Sequence, residues 1–344
     1  AKRMTELTGM EAKTIHRLIG LNNFKQDRKE LIEIEADFLI IDEASMIDAY
    51  VFYSLLSAIS SHTKILIVGD YEQLPSVGAG LILRDLINSQ VIPITILTEI
   101  FRQNRDSQIV LNSQRIIKGG KELSLKKEKK DFYFIPQPNK DYILDIILLS
   151  IDRLLQTGFR LEDIQVLSVM NDGDLGVDEL NKRIQERFNP KYPAMPQLQI
   201  SHRRCLRVND RVMQTVNNYD LSIFNGEIGV VVDIDMTNYK DIRTTIDFSG
   251  KKVVYDLGDV KELELAYAVT VFKAQGSEFD VVIMPFHSSL KYLLNRSTIY
   301  TGWTRAKKRV ICVGDEEELN KGIGRVENNV RNSRLIEKIR EETR

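Results

Sequence analysis

Two short apolar runs in this chain end in carboxylates. Asp37-Phe38-Leu39-Ile40-Ile41 leads into Asp42-Glu43, and Lys64-Ile65-Leu66-Ile67-Val68 leads into Gly69-Asp70. Runs of this kind read as buried parallel strands, which deliver side chains to the carboxyl-terminal edge of an α/β sheet. An acid pair at that edge suits nucleotide chemistry: Asp42 can hold Mg2+ directly or through water, and Glu43 can polarise an attacking water. The pattern of a strand followed by Asp-Glu-Ala-Ser is a Walker B pattern, although acid pairs at strand ends also serve other enzymes. The second run continues as Gly69-Asp70-Tyr71-Glu72-Gln73-Leu74-Pro75-Ser76-Val77-Gly78, which places a glutamine on the following loop. Its amide can donate to a terminal phosphate and accept from a polar neighbour, and so register whether that phosphate is present. The alternative is a turn whose glutamine only caps a helix.

Charge that builds on a transferred phosphoryl group needs cations. Arg102, in Leu97-Thr98-Glu99-Ile100-Phe101-Arg102-Gln103, and Arg305, in Tyr300-Thr301-Gly302-Trp303-Thr304-Arg305-Ala306-Lys307, are the candidates. Surface ion pairing is the plainer use of both. Between them, Tyr267 to Phe279 carries Thr270, Gln275-Gly276 and Glu278. Small and hydroxylated residues there suit close approach to a phosphate or ribose, and a helix C-cap at Gly276 fits the spacing as well. Thr14-Ile15-His16-Arg17 sets a hydroxyl, an imidazole and a cation at one helix edge, where they can meet a phosphodiester or serve structure alone. Arg203, Arg204, Arg207 and Arg211 gather where a β-rich region begins, as a nucleic-acid contact or a solvated strand edge.

The elements that must position these groups read as two α/β regions. At 344 residues and 43% hydrophobic content, the chain can bury at least two cores. Residues 1–104 alternate strands and amphipathic helices, with Asn22 to Glu35 read as a small exposed hairpin. Arg105 to Gly119 reads as helix, Lys121 to Lys130 as a charged loop, Ile143–Leu155 and Asp178–Phe188 as helices, and Asp163–Met170 as a buried strand. Residues 206–263 change character: short strands alternate with turns such as Asn225-Gly226 and Ser249-Gly250, as expected of a small antiparallel barrel inserted into the second α/β domain. That domain, 105–205 and 264–315, resumes with Val281–Met284 and Arg309–Val313, and residues 316–344 read as a charged helical tail.

A net charge of −1 argues against a uniformly basic coat but not against a local basic groove. Cys205 and Cys312 lack metal-type spacing, so a reduced, cytoplasmic protein is expected. No apolar run approaches the roughly 20 residues that span a bilayer, and no secretory pattern opens the sequence, so no membrane association is expected.

Taken in order, the segments resemble the RecD-type DNA helicases of helicase superfamily 1. Ala1–Met4 matches the end of motif Ia, Thr14–Leu18 a DNA-contact motif, Ile41–Ser45 motif II, Gly69–Gly80 motif III, Leu97–Gln103 motif IV, Ala266–Glu278 motif V and Tyr300–Lys308 motif VI. Gly173 to Asn181 and Phe224 to Gly229 are also family-like. The resemblance implies an α/β fold of two RecA-like domains, the first N-terminally incomplete, that clamp ATP with Mg2+ between them. It implies an inserted Src-homology-3-like barrel and a pin-like hairpin, and 5′→3′ stepping along single-stranded DNA to duplex junctions in recombination and repair. Nucleoid association and other recombination subunits as partners belong to the same expectation. By the same resemblance Asp42 takes the metal, Glu43 the water, Gln73 the phosphate sensor, and Arg102 and Arg305 the finger roles. Gly276 and Glu278 join Asp42, Gln73, Arg102 and Arg305 as nucleotide-binding residues, Glu278 on a coupling element beside the DNA path, and Thr14, His16 and Thr270 lie along the DNA.

Two departures stand out. Phe272 occupies a position where the family usually has histidine. Gly-x-x-x-x-Gly-Lys-[Ser/Thr] occurs nowhere in these 344 residues, and Gly119-Gly120-Lys121 lacks the rest of it. The first residue is Ala1, in what reads as mid-helix. The expectation is therefore a portion of a longer protein whose phosphate loop lies upstream, with negligible ATPase activity of its own. The alternative is a non-catalytic DNA- or partner-binding protein on the same fold. A Walker A segment encoded in frame upstream would separate the two. Some family members are named exodeoxyribonuclease V alpha subunit; no cluster of nuclease carboxylates supports DNA cleavage here.

Overall fold

The computed structural model describes the chain outside residues 22–30, 98–106, 121–122, 125–130, 194, 202–203, 239–240, 327–330, 332 and 344. It divides into two compact units, Ala1–Thr98 with Asn328–Arg344, and Glu99–Glu327.

The first unit begins with α1 (Lys2–Thr8) and α2 (Ile15–Leu18), followed by β1 (Phe38–Ile41), α3 (Ala49–Ala58), β2 (Lys64–Ile67) and α4 (Ile82–Ser89). β1 and β2 pair in parallel from Phe38↔Lys64 to Ile41↔Ile67, with α3 as the connection between them. Asp48 starts α3 by accepting the Val51 N–H at 2.8 Å. Ile41, Val51, Leu55, Ala58 and Leu83 share one core with Ile19. Strand alternation turns Phe38 and Ile40 the other way, where they are 54% and 52% exposed. Of the expected hairpin, residues 22–30 lie outside the described residues. The described remainder is not an exposed strand: the Ile34 N–H donates to Ala58 O at 2.7 Å, and Leu31 and Ile34 pack on the core. The end of α3 offers a carbonyl there, and that local partner decides the path.

The second unit comprises α5 (Gln108–Ile117), β3 (Phe132–Pro136), α6 (Lys140–Gln156), β4 (Ile164–Ser168), α7 (Val177–Phe188), β5 (Gln197–Ser201), β6 (Arg204–Arg207), β7 (Arg211–Gln214), β8 (Ile228–Asp235), β9 (Arg243–Phe248), β10 (Lys251–Tyr255), β11 (Leu263–Leu265), β12 (Ala268–Thr270), β13 (Phe279–Phe286), α8 (Arg296–Thr304), β14 (Ala306–Gly314) and α9 (Glu316–Gly324). Its parallel sheet has the order β12-β4-β13-β14-β3. Val281 and Ile283 of β13 face the core formed with α6 and α7, while Met284 abuts Gly302 of α8. Both faces are thus covered, as a parallel sheet requires. A second, antiparallel sheet, β10-β9-β8-β7-β11, surrounds a separate core that includes Val212, Val231, Ile246, Phe248 and Tyr255. The residues after 315 do not form one tail. α9 remains in the second unit, and α10 (Leu335–Glu342) packs against α4 in the first.

Candidate nucleotide site and its relatives

Parallel, in-register pairing carries β1 and β2 to their ends together, and the backbone locks the two exits. Val68 N–H donates to Ile41 O at 2.8 Å, and Ala44 N–H to Val68 O at 3.0 Å. Gly69 lies so close to the turn that a Cβ there would meet Ala44 N at 2.9 Å. Any larger residue would therefore push the loop after β2 away from the acid pair.

Asp42 is exposed at this edge. Its Oδ1 accepts the Glu43 N–H at 2.8 Å, and its Oδ2 makes no hydrogen bond among the described residues. Glu43 adopts a left-handed conformation, φ 53 and ψ 40. A non-glycine residue there is an outlier of the sort found at functional turns. Asp70 organises the next loop: its Oδ1 accepts the Glu72 N–H at 3.0 Å, and its Oδ2 accepts Gln73 Nε2 at 3.2 Å. A carboxylate only accepts, so this bond fixes which way the Gln73 amide points. Gln73 is 8% exposed, and its buried Oε1 has no hydrogen-bond partner among the described residues. The amide was expected to turn its N–H to a phosphate and its oxygen to a neighbour. Here the neighbour takes an N–H, and the oxygen is the atom left over.

A leftover buried acceptor on the loop after β2, with an acid pair following the adjacent β1, fits a nucleotide with its metal and water. Among the described residues no group of three or more His, Cys, Asp and Glu forms a cage. One carboxylate edge still suits Mg2+, which keeps several waters and takes the rest of its shell from phosphates.

The other candidates lie elsewhere in the fold. Thr14 caps α2, accepting the Arg17 N–H at 3.4 Å, and His16 is exposed on that short helix. Arg102 lies outside the described residues, with most of the expected motif IV. Arg305 is 3% exposed at the end of α8, and its guanidinium donates to Thr301 O at 3.2 Å, Ser277 O at 3.4 Å and Thr304 Oγ1 at 3.4 Å. It thereby ties the residue after Gly276 to α8. Gly276 has φ 73 at the end of a run of turns, with nothing within 4 Å of where a Cβ would stand. Glu278 is largely buried and pairs with Lys307 at 3.4 Å. Thr270 Oγ1 accepts the Lys273 N–H at 3.1 Å, and Phe272 beside it is 42% exposed.

The basic cluster before the antiparallel sheet is spent internally. Arg204 donates to Leu263 O at 3.2 Å, Arg207 to Asn189 O at 2.7 Å and the buried Arg211 to Ile164 O at 2.8 Å, while Arg203 lies outside the described residues. The three described arginines tie strands and connections together and form neither a solvated edge nor an open basic patch. Sequence reasoning passed over Asp48 and Arg331, which shape the loop after Gln73. Asp48 carried a signal as an acid just before a helical run. Arg331 carried none.

Three family profiles match the chain: an AAA domain over residues 1–133, the ATP-dependent RecD-like DNA helicase SH3 domain over 180–248, and the UvrD-like helicase C-terminal domain over 265–313. The ATP-dependent RecD2 DNA helicase of Deinococcus radiodurans is 33% identical over 340 residues, which is 99% of this chain and 45% of that protein. The RecBCD enzyme subunit RecD of Mycolicibacterium smegmatis is 27% identical, covering 93% of this chain and 58% of that protein. The chain thus spans about half the length of these curated relatives. In fold it is similar to Bacteroides Pif1, solved bound to single-stranded DNA, with a TM-score of 0.54, 17% identity and coverage of 94% and 86%. Parallel α/β units, an SH3-type match within the second, and end-to-end sequence similarity lead to one conclusion: over nearly its whole length the chain is similar to the RecD-type helicases of superfamily 1.

Proposed function

We propose that this chain is the motor portion of an ATP-dependent DNA helicase or translocase that moves 5′→3′ on single-stranded DNA in recombination and repair. The observation that carries the reading is the shared edge of β1 and β2, where Asp42, Glu43 and Gln73 follow consecutive strands and Gln73 Oε1 is buried without a partner among the described residues. Mg2+ bound with ATP supplies neutralising charge on the phosphate oxygens. Asp42 holds that metal through its carboxylate. Glu43 takes a proton from the attacking water, and Gln73 senses the terminal phosphate through that water, its Oε1 accepting the water's other hydrogen and orienting it. Arg102 and Arg305 are assigned the finger roles, and Thr14, His16 and Thr270 the DNA contacts, on sequence similarity. Gly276 and Glu278 couple the two activities.

The backbone N–H groups and lysine that cradle the β- and γ-phosphates are supplied, in this reading, by residues of the longer protein outside these 344. That longer protein acts at single strands and duplex junctions in the cytoplasm, alone or with other recombination subunits. The chain alone then hydrolyses no ATP; a DNA-stimulated rate from it, abolished by Glu43→Gln, would contradict this. Strand displacement by the full-length protein tests the function: a duplex with a 5′ tail is opened. Opening of a 3′-tailed duplex in its place would overturn the polarity, and failure on both would remove the helicase reading.

A further inference from the structure

The loop after Gln73 curls around a cation contributed from the far end of the sequence. Arg331 Nη2 donates to Ser76 O at 2.7 Å, and Nη1 donates to Gly80 O at 2.9 Å, to Ser76 Oγ at 3.3 Å and to Gly78 O. Three backbone carbonyls within five residues converge on one guanidinium. Their dipoles repel one another unless a donor of several N–H bonds sits among them, which a planar cation does better than an ammonium. The rest of the loop is fixed as tightly. Ala79 O accepts the Ala49 N–H at 2.7 Å, and a Cβ on Gly78 would collide with the Asp48 side chain that caps α3.

The segment that brings Arg331 is itself anchored. Ser333 donates to Asp85 at 2.7 Å, and Arg340 donates to Asn88 O at 2.9 Å and Ser89 O at 3.1 Å, closing the end of α4. Between the clamped Ser76 and Gln73 stand only Leu74 and Pro75, and the proline ring removes one backbone rotation from that connection.

We infer that Arg331 is the positioning residue for the phosphate-sensing glutamine: its guanidinium holds Ser76–Gly80 closed and thereby sets where Gln73 presents its amide. This rests on the role proposed above for Gln73. A lysine at 331 cannot reach three carbonyls in one plane, so Arg331→Lys is not a conservative change.

Amide hydrogen exchange on the chain, with wild type, Arg331→Ala, Arg331→Lys and Arg340→Ala, tests the clamp. Arg331→Ala raises exchange over residues 73–80 by about tenfold; Arg331→Lys raises it by less, and free guanidinium ion at a non-denaturing concentration restores protection to the alanine variant. Arg340→Ala raises exchange only near the end of α4. Unchanged exchange over 73–80 in Arg331→Ala overturns the inference; if that variant unfolds, wild-type exchange in Arg331→Lys does so equally. In the full-length protein, the preference for ATPγS over ADP narrows about tenfold in Arg331→Ala through weaker ATPγS binding alone. A loosened loop with an unchanged preference would also refute the positioning role. If wild type shows no such preference, the motor reading fails while the exchange data still decide the clamp.

Discussion

Glu43 holds a left-handed backbone, φ 53 and ψ 40, where an ordinary side chain costs about 1–2 kcal/mol. The turn persists because the Glu43 N–H donates to Asp42 Oδ1, and Ala44 is tied to Val68. Glycine removes the penalty at some entropic cost, so Glu43→Gly raises the stability of the first unit by about 0.5–1 kcal/mol. Glu43→Gln brings no such gain, and both variants abolish hydrolysis in the full-length protein. Denaturant midpoints and ATPase rates check this pair, and a destabilised glycine variant contradicts the strain. The placement of Asp42, Glu43 and Gln73 after the ends of two paired strands was legible in the sequence, because short apolar runs announce strand ends. The orientation of the Gln73 amide was not legible, since it depends on a bond to Asp70. Neither was Arg331, which meets Ser76 across 255 residues of sequence.

At the level of elements, the antiparallel sheet is joined to the parallel one through a buried carboxylate. Asp210 is fully buried, with Oδ2 accepting from Gln185 at 2.5 Å and the Arg207 N–H at 2.7 Å, and Oδ1 accepting from Asn189 at 2.7 Å and Tyr267 OH at 2.9 Å. Burial pushes its pKa up, and the donors oppose that shift. Four donors pointing at two oxygens leave no place for an amide N–H, so Asp210→Asn destabilises the second unit by about 3 kcal/mol in urea unfolding. A loss below about 0.5 kcal/mol would mean the network is not what joins the sheets. The turns and alternation of residues 206–263 were readable as β structure, but the destination of Arg204, Arg207 and Arg211 was not. An arginine looks the same in sequence whether it faces solvent or ties two strands. β1 and β2 raise a different matter, because parallel strands are ordinarily covered on both faces. With Phe38 and Ile40 about half exposed, self-association of the isolated chain through this face is the expected outcome. Phe38→Thr with Ile40→Thr lowers its sedimentation-average mass toward that of a monomer, and an unchanged mass refutes the attribution.

For the whole molecule, the two units carry separate cores. In the second unit a hydrogen bond from Lys321 holds the Glu318 carboxyl below its ordinary 4.5, and one from Arg160 similarly lowers Asp163. Depressed native values mean that these acids contribute stability above the ordinary carboxylate range and lose it as pH falls through the native pKa. Glu318→Gln therefore flattens the acid limb of the second unit's stability between about pH 5 and 3 and leaves the first unit's limb as it was. Calorimetry across that range resolves this, and an unaltered acid limb argues against the assignment. The alternation of strands and helices, the β-rich interruption and the order of motifs were all visible in one sequence. The division of the last 29 residues between two units was not, because packing of α10 on α4 leaves no local pattern. The most direct test of the motor reading is steady-state ATP hydrolysis by the full-length protein with and without single-stranded DNA, wild type against Glu43→Gln. DNA-stimulated turnover in the wild type should fall at least about a hundredfold in the variant while ATP binding persists. Turnover that survives Glu43→Gln would contradict a hydrolytic edge built on β1 and β2.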